Sequence, residues 1–173
     1  MHTLEHAGRK LIVLAGRSES SEGSLLSSAA AISGAGGSVR LLNAELVFGM
    51  DHIRSAFQKA ARAFDNGRNV SDSLATETML YMSGCRQIQE AMELFDLKRG
   101  RGAVVCLADP IQGIEGRLAG DLSIREGDEV LADIHKKDLR GFGVGQAEAE
   151  TVPRDKQADL VLERVAGVDI KKK

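Results

Sequence analysis

Two kinds of apolar pattern alternate along the chain. The first is the short unbroken run. "RKLIVLAG", Arg9 to Gly16, carries five apolar residues in a row and stops at glycine. A run this short between breakers predicts a strand buried on both faces rather than a helix. "AVVCLA", Ala103 to Ala108, has the same character and predicts a central strand. "SVRLLNAELVFG" predicts a strand or strand pair with Asn43 as the break, and "SLLSSAAAIS" before it a short helix closed by "GAGG".

The second pattern has helical period. Between Asp51 and Asp65, Ile53, Phe57, Ala60, Ala61 and Phe64 fall on one face, with Asp51 placed to cap the start and Asn66-Gly67 to end the helix. The opposite face carries Arg54, Gln58 and Arg62 at four-residue steps, with Lys59 beside them. "GRNVSDSLATETMLYMSG" restarts after a turn with Ser71 or Ser73 as its N-cap, and ends in the apolar run Met79 to Met82. Ser83 then reads as the cap of a further helix, with Cys85, Ile88, Ala91, Met92 and Phe95 as its buried stripe.

Beyond Asp109-Pro110 the periodicity fades. "GDEVLADIHKKDL" predicts a short helix, Gly141 to Pro153 a long loop, and Arg154 to about Ala166 a last helix buried through Leu160, Val161 and Val165. Together these elements predict a single α/β domain over residues 1–173, a mixed sheet covered by several helices.

Composition narrows the function. The chain has 173 residues, 43% apolar and 28% charged, with a net charge of −2, so nucleic-acid binding requires a local basic patch. Two cysteines without framework spacing suit a reducing cytoplasm. No leader pattern and no membrane-spanning run is expected, and "KKK" at the end reads as a solvated tail. His2, His6, His52 and His135 are scattered away from the cysteines, so neither metal nor cofactor is expected. "GAGG" and "GFGVG" complete no phosphate-loop motif and read as turns.

Two local chemistries remain around Ser83. Cys85 in a first helical turn beside Arg86 is the arrangement of an activated thiol, although its place on an apolar stripe also suits a buried cysteine. Free amides after Ser83, with Arg86 and Gln87, compose a candidate anion site, because a cation at a helix start requires a negative partner. A thiol-dependent enzyme and a small anion-binding module are therefore the two alternative readings.

From about Leu42 onward the chain resembles a known family. "AFQKAARAFDNGRN", "SLATETMLYMSG", "RQIQEAMELF", "AVVCLA" and "LVLERVAGVDI" together carry the resemblance, which is to the small regulatory subunit of the KEOPS complex, the PRPK-binding protein (TPRKB) family. Gly141 to Pro153 carries no signature of it. The resemblance implies a noncatalytic subunit that binds the kinase/ATPase of the complex. It also implies a subunit that helps recruit tRNA through its 3′ CCA end for threonylcarbamoyl-adenosine (t6A) modification. On that footing Arg54, Lys59, Arg62, Arg68 and Arg86 are the expected RNA-facing set, with Gln87 as a polar reader. Met79, Met82 and Met92 are the expected kinase contacts, since flexible thioethers suit adaptable interfaces.

Overall fold

The computed structural model describes residues 1–34, 36–99, 102–132, 134 and 137–170. Strand β2 (Arg9–Arg17) lies at the centre of the sheet. It is flanked by β1 (His2–His6) on one side and β4 (Ala103–Ala108) on the other, with β3 (Val39–Asn43) beyond β4. A two-residue strand, β5 (Arg125–Glu126), pairs with the end of β2.

The single α/β domain matches the sequence expectation; the mixed sheet does not, because every described strand pair is antiparallel. The strand–helix–strand order read near the N-terminus is present, and β2 and β3 do run in the same direction. They never touch. β4 inserts between them, antiparallel to both, with Leu14 opposite Cys106 and Leu41 opposite the same residue on the other side.

That central position explains the unbroken apolar runs. Side chains alternate across a strand, so Leu11, Val13, Ala15, Val105 and Leu107 enter one core while Ile12, Leu14, Val104, Cys106 and Ala108 enter the other. Helices α2 (Gly49–Asp65), α3 (Leu74–Ser83) and α7 (Gln157–Gly167) cover the first face. Helices α1 (Glu22–Gly34) and α5 (Ile114–Asp121) cover the second. Desolvation there pushes the Cys106 thiol up to about 12, so it stays protonated.

Local chemistry sets the helix ends. Asn43 does break its strand, its side chain accepting from the Glu45 amide at 3.0 Å to open a 3₁₀ turn over Ala44–Leu46. Of the two serines, Ser73 is the α3 cap, accepting from the Thr76 amide at 3.1 Å. Asp109 adds a second acceptor, taking the Ala75 amide at 2.7 Å; burial nevertheless pushes its carboxyl above the usual range.

The region with weak periodicity is packed rather than loose. Residues Asp128–Leu131 form a 3₁₀ turn in place of the longer helix expected there, parts of which fall at 133, 135 and 136, outside the described residues. Within the expected loop from Gly141 to Pro153, Phe142 is buried edge-on against Phe48 and His52. A short helix, α6 (Gln146–Ala149), then offers Glu148 to Arg164 of α7 with both carboxylate oxygens at 2.7 Å. The helix expected from Arg154 begins as a 3₁₀ turn and continues as α7, burying Leu160, Val161 and Val165 as predicted.

Candidate partner and nucleic-acid surfaces

The segment from Met79 to Met92 folds as two helices, with the junction placed differently from the expectation. Ser83 is the last residue of α3, not the cap of the next helix, and its hydroxyl donates to the Leu80 carbonyl at 2.7 Å. Gly84 closes α3 in the left-handed conformation at φ 73°, where a side chain would also press on Cβ of Arg164 at 3.2 Å. The next helix, α4 (Ile88–Leu94), begins four residues later, with Gln87 at its N-cap. A helix C-terminus presents carbonyls, so the anion module centred on a helix start at Ser83 is overturned.

Arg86 therefore sits in a linker and finds its negative partner within the chain. Its Nη1 donates to Oε1 of Glu77 at 2.9 Å, and its Nη2 to the Arg68 carbonyl at 2.7 Å. Glu77 is fully buried in α3, where its other oxygen accepts the amides of Val70 and Ser71 at 2.9 and 3.0 Å. A buried carboxylate is tolerable only when charge and lone pairs are both answered, as they are here. The guanidinium also lies 5.4 Å from the centre of the Tyr81 ring. Burial raises the pKa of the Tyr81 hydroxyl, and its donation to Asp169 at 2.6 Å raises it further.

Cys85 faces the Ser83 hydroxyl at 3.0 Å, and its thiol donates to the Gln87 carbonyl at 3.6 Å. These partners hold the thiol without supplying a base. Among the described residues no group of three His, Cys, Asp or Glu side chains is arranged to hold a metal ion.

The remaining basic residues form a strip. Arg54, Gln58 and Arg62 are exposed along one face of α2, Arg54 to Arg62 spanning about 12 Å at helical rise. Lys59 is half-buried beside them. Arg68 is exposed in the turn just past the end of α2, its amide donating to the Ala63 carbonyl at 2.7 Å. Gln87 is exposed at the start of α4. The Arg86–Arg68 bond joins that turn to the α3–α4 linker, so the strip and the linker meet there.

The three methionines separate. Met79 and Met82 are core residues, 1% and 0% exposed, because all ten residues of α3 are buried. Met92 is 51% exposed on α4, with Ile88 one turn earlier at 37%. Of the stripe expected to be buried on this helix, Ala91 and Phe95 point inward, while Ile88 and Met92 do not. Met92 borders a groove of about 550 Å³ that runs between α1 and α4 over the edge strand β3. No sequence signal separated Met92 from Met79 and Met82, because periodicity shows which residues share a face and not whether a neighbour covers it.

Comparison with known proteins bears on these surfaces. The family model described as kinase binding protein CGI-121 matches residues 24–136, well over half of the chain. No curated protein matches it. The matched span covers most of α1 and runs through α5, including the Glu77–Arg86 pair, the strip and the groove residues other than Glu22, and ends before α6 and α7.

Proposed function

The chain belongs to the CGI-121 kinase-binding family, and from that premise we propose that it is the noncatalytic small subunit of a KEOPS complex in the cytoplasm. In this reading it binds and supports the kinase/ATPase subunit and helps recruit tRNA through its 3′ CCA end for t6A modification. The family match over residues 24–136 carries the reading.

For tRNA, the proposed surface is the exposed strip Arg54, Arg62 and Arg68, with Lys59 and Gln87 at its margins. A short single-stranded end requires only a local cationic track, which suits a chain of net charge −2. Arg86 enters this surface indirectly, by holding the Arg68 carbonyl, since its own charge is answered by Glu77. Binding of intact tRNA and of tRNA lacking its CCA end to the reconstituted complex tests the proposal. The triple variant Arg54→Glu, Arg62→Glu, Arg68→Glu is expected to weaken intact tRNA at least tenfold with a shallower salt dependence, and loss of the CCA end to do the same. Equal affinity in all arms rejects the RNA surface and leaves kinase binding standing.

A further inference from the structure

The groove between α1 and α4 is open to solvent and walled by apolar side chains. Its floor is β3, with Leu41 half-buried, and its walls carry Leu26 of α1, 47% exposed, and Met92 of α4. With Ile88, these are three large apolar side chains left open on the two helices bounding one groove, and contiguous exposed apolar surface marks interaction sites. Three acidic residues rim it, Glu22 from α1, Glu93 of α4 and Asp96 just past α4, against one cation, Arg40 of β3, whose guanidinium bonds Thr76 and the Val39 carbonyl.

An open sheet edge normally invites an added strand, yet β3 is closed at both ends by its own chain. The Val39 amide donates to Ser33 Oγ at 3.2 Å and its carbonyl accepts from Arg40 Nη1 at 3.2 Å. At the other end the Asn43 amide donates to the Phe95 carbonyl at 3.0 Å. Backbone direction alternates along a strand, so only the Leu41 peptide faces outward between these two stops. One peptide cannot template a strand. Apolar side chains entering from above can still use the floor and both walls, as the apolar face of a helix does when it lies in a groove.

We propose that this groove is the docking site for an amphipathic helix of the kinase partner, its apolar face seated on Leu26, Leu41 and Met92 and its flanking Lys or Arg residues meeting Glu22, Glu93 and Asp96. The assignment rests on the kinase-binding reading and specifies its surface and mode. It also accounts for Met92, which leaves the apolar stripe of α4 to line the groove while Ala91 and Phe95 are buried.

Calorimetry of the purified chain with the purified kinase subunit tests it, with melting curves as the check on folding. Leu26→Glu and Met92→Glu are each expected to weaken binding more than tenfold. Ile170→Glu, at a residue 84% exposed and outside the groove, leaves it unchanged. Glu93→Lys, on an exposed side chain that accepts from Gln89 one turn earlier, is expected to weaken binding several-fold and more so at low salt. If the apolar variants melt early, Glu93→Lys alone decides. Unaltered affinity in the groove variants beside a binding wild type overturns the groove while keeping the kinase reading. A wild-type chain that fails to bind the kinase overturns both. Concentration-dependent dimerisation of the chain alone that Met92→Glu abolishes overturns the choice of occupant in favour of a second copy.

Discussion

Helices α3 and α4 follow each other across a four-residue linker, and they end in opposite situations. Helix α3 is buried along its whole length, and even its one acid, Glu77, is answered internally by Arg86 and two backbone amides. Helix α4 buries Ala91 and leaves Met92 and Ile88 at the surface. The difference teaches that apolar character fixes which residues prefer to leave water, whereas the number of covering elements fixes whether they do. α3 has the sheet beneath it and α2 and α7 around it; α4 has neighbours on one side only.

Truncating equivalent side chains on the two helices gives the largest contrast. Met82→Ala is expected to cost about 2–5 kcal/mol through lost burial and a cavity, while Met92→Ala stays within about 0.5 kcal/mol. Denaturant unfolding measures both, and similar losses at the two sites erase the distinction. Removing the cation that answers Glu77 comes next. Arg86→Ala leaves a buried carboxylate with only its amide donors and is expected to cost about 3 kcal/mol. A loss below 1 kcal/mol in the same unfolding measurement shows that the pair adds little.

The third test concerns the last turn of α3, where His52 Nε2 donates to the Met82 carbonyl at 2.9 Å and Nδ1 accepts the Phe48 amide at 3.2 Å. Acceptance at Nδ1 requires the neutral ring, whereas donation from Nε2 survives protonation. Burial lowers the His52 pKa from 6.5 to about 4, with nearby Lys137 adding to the effect and the Met82 bond opposing it. Below pH 6.5 the unfolded chain takes up a proton that the folded one refuses. Stability from this group is therefore complete above pH 6.5 and is lost as pH falls toward 4. At about 1.4 kcal/mol per pH unit, going from pH 7 to 5.5 costs about 1 kcal/mol. His52→Gln retains a donor and an acceptor without the titration, so its stability should fall less over the same interval. Asp109, raised by burial, acts in the opposite sense in both proteins, and the difference between them isolates His52. Parallel pH profiles reject the assignment.

Much of the fold was legible because strong patterns had one structural meaning. The five-residue run in β2, the Ser73 cap and the Asn66-Gly67 stop all lie where residue chemistry placed them. What escaped depended on distant chain. β1 has only five residues and an exposed, mostly polar pattern, and α5 is short, so neither stood out. The antiparallel β4 between β2 and β3 leaves no local trace, since a strand buried on both faces looks alike in either direction. Arg86 was recognised as a charge needing an answer, but the answer was nine residues back in a helix expected to precede it, and a helix boundary misplaced at Ser83 concealed that. Phe142 was hidden for a related reason: a lone aromatic among glycines shows no period, yet it fills the space between Phe48, His52 and Phe95.

The insertion of β4 also imposes an order on biosynthesis. β2 ends at residue 17, but its inner neighbour is not complete until residue 108. For that interval the chain carries a finished apolar strand, paired on one side by β1, with its other edge awaiting residues about ninety positions downstream. Such long-range closure slows folding and leaves nascent chains open to strand-mediated aggregation. Premature termination anywhere before β4 therefore yields a fragment that cannot assemble the sheet.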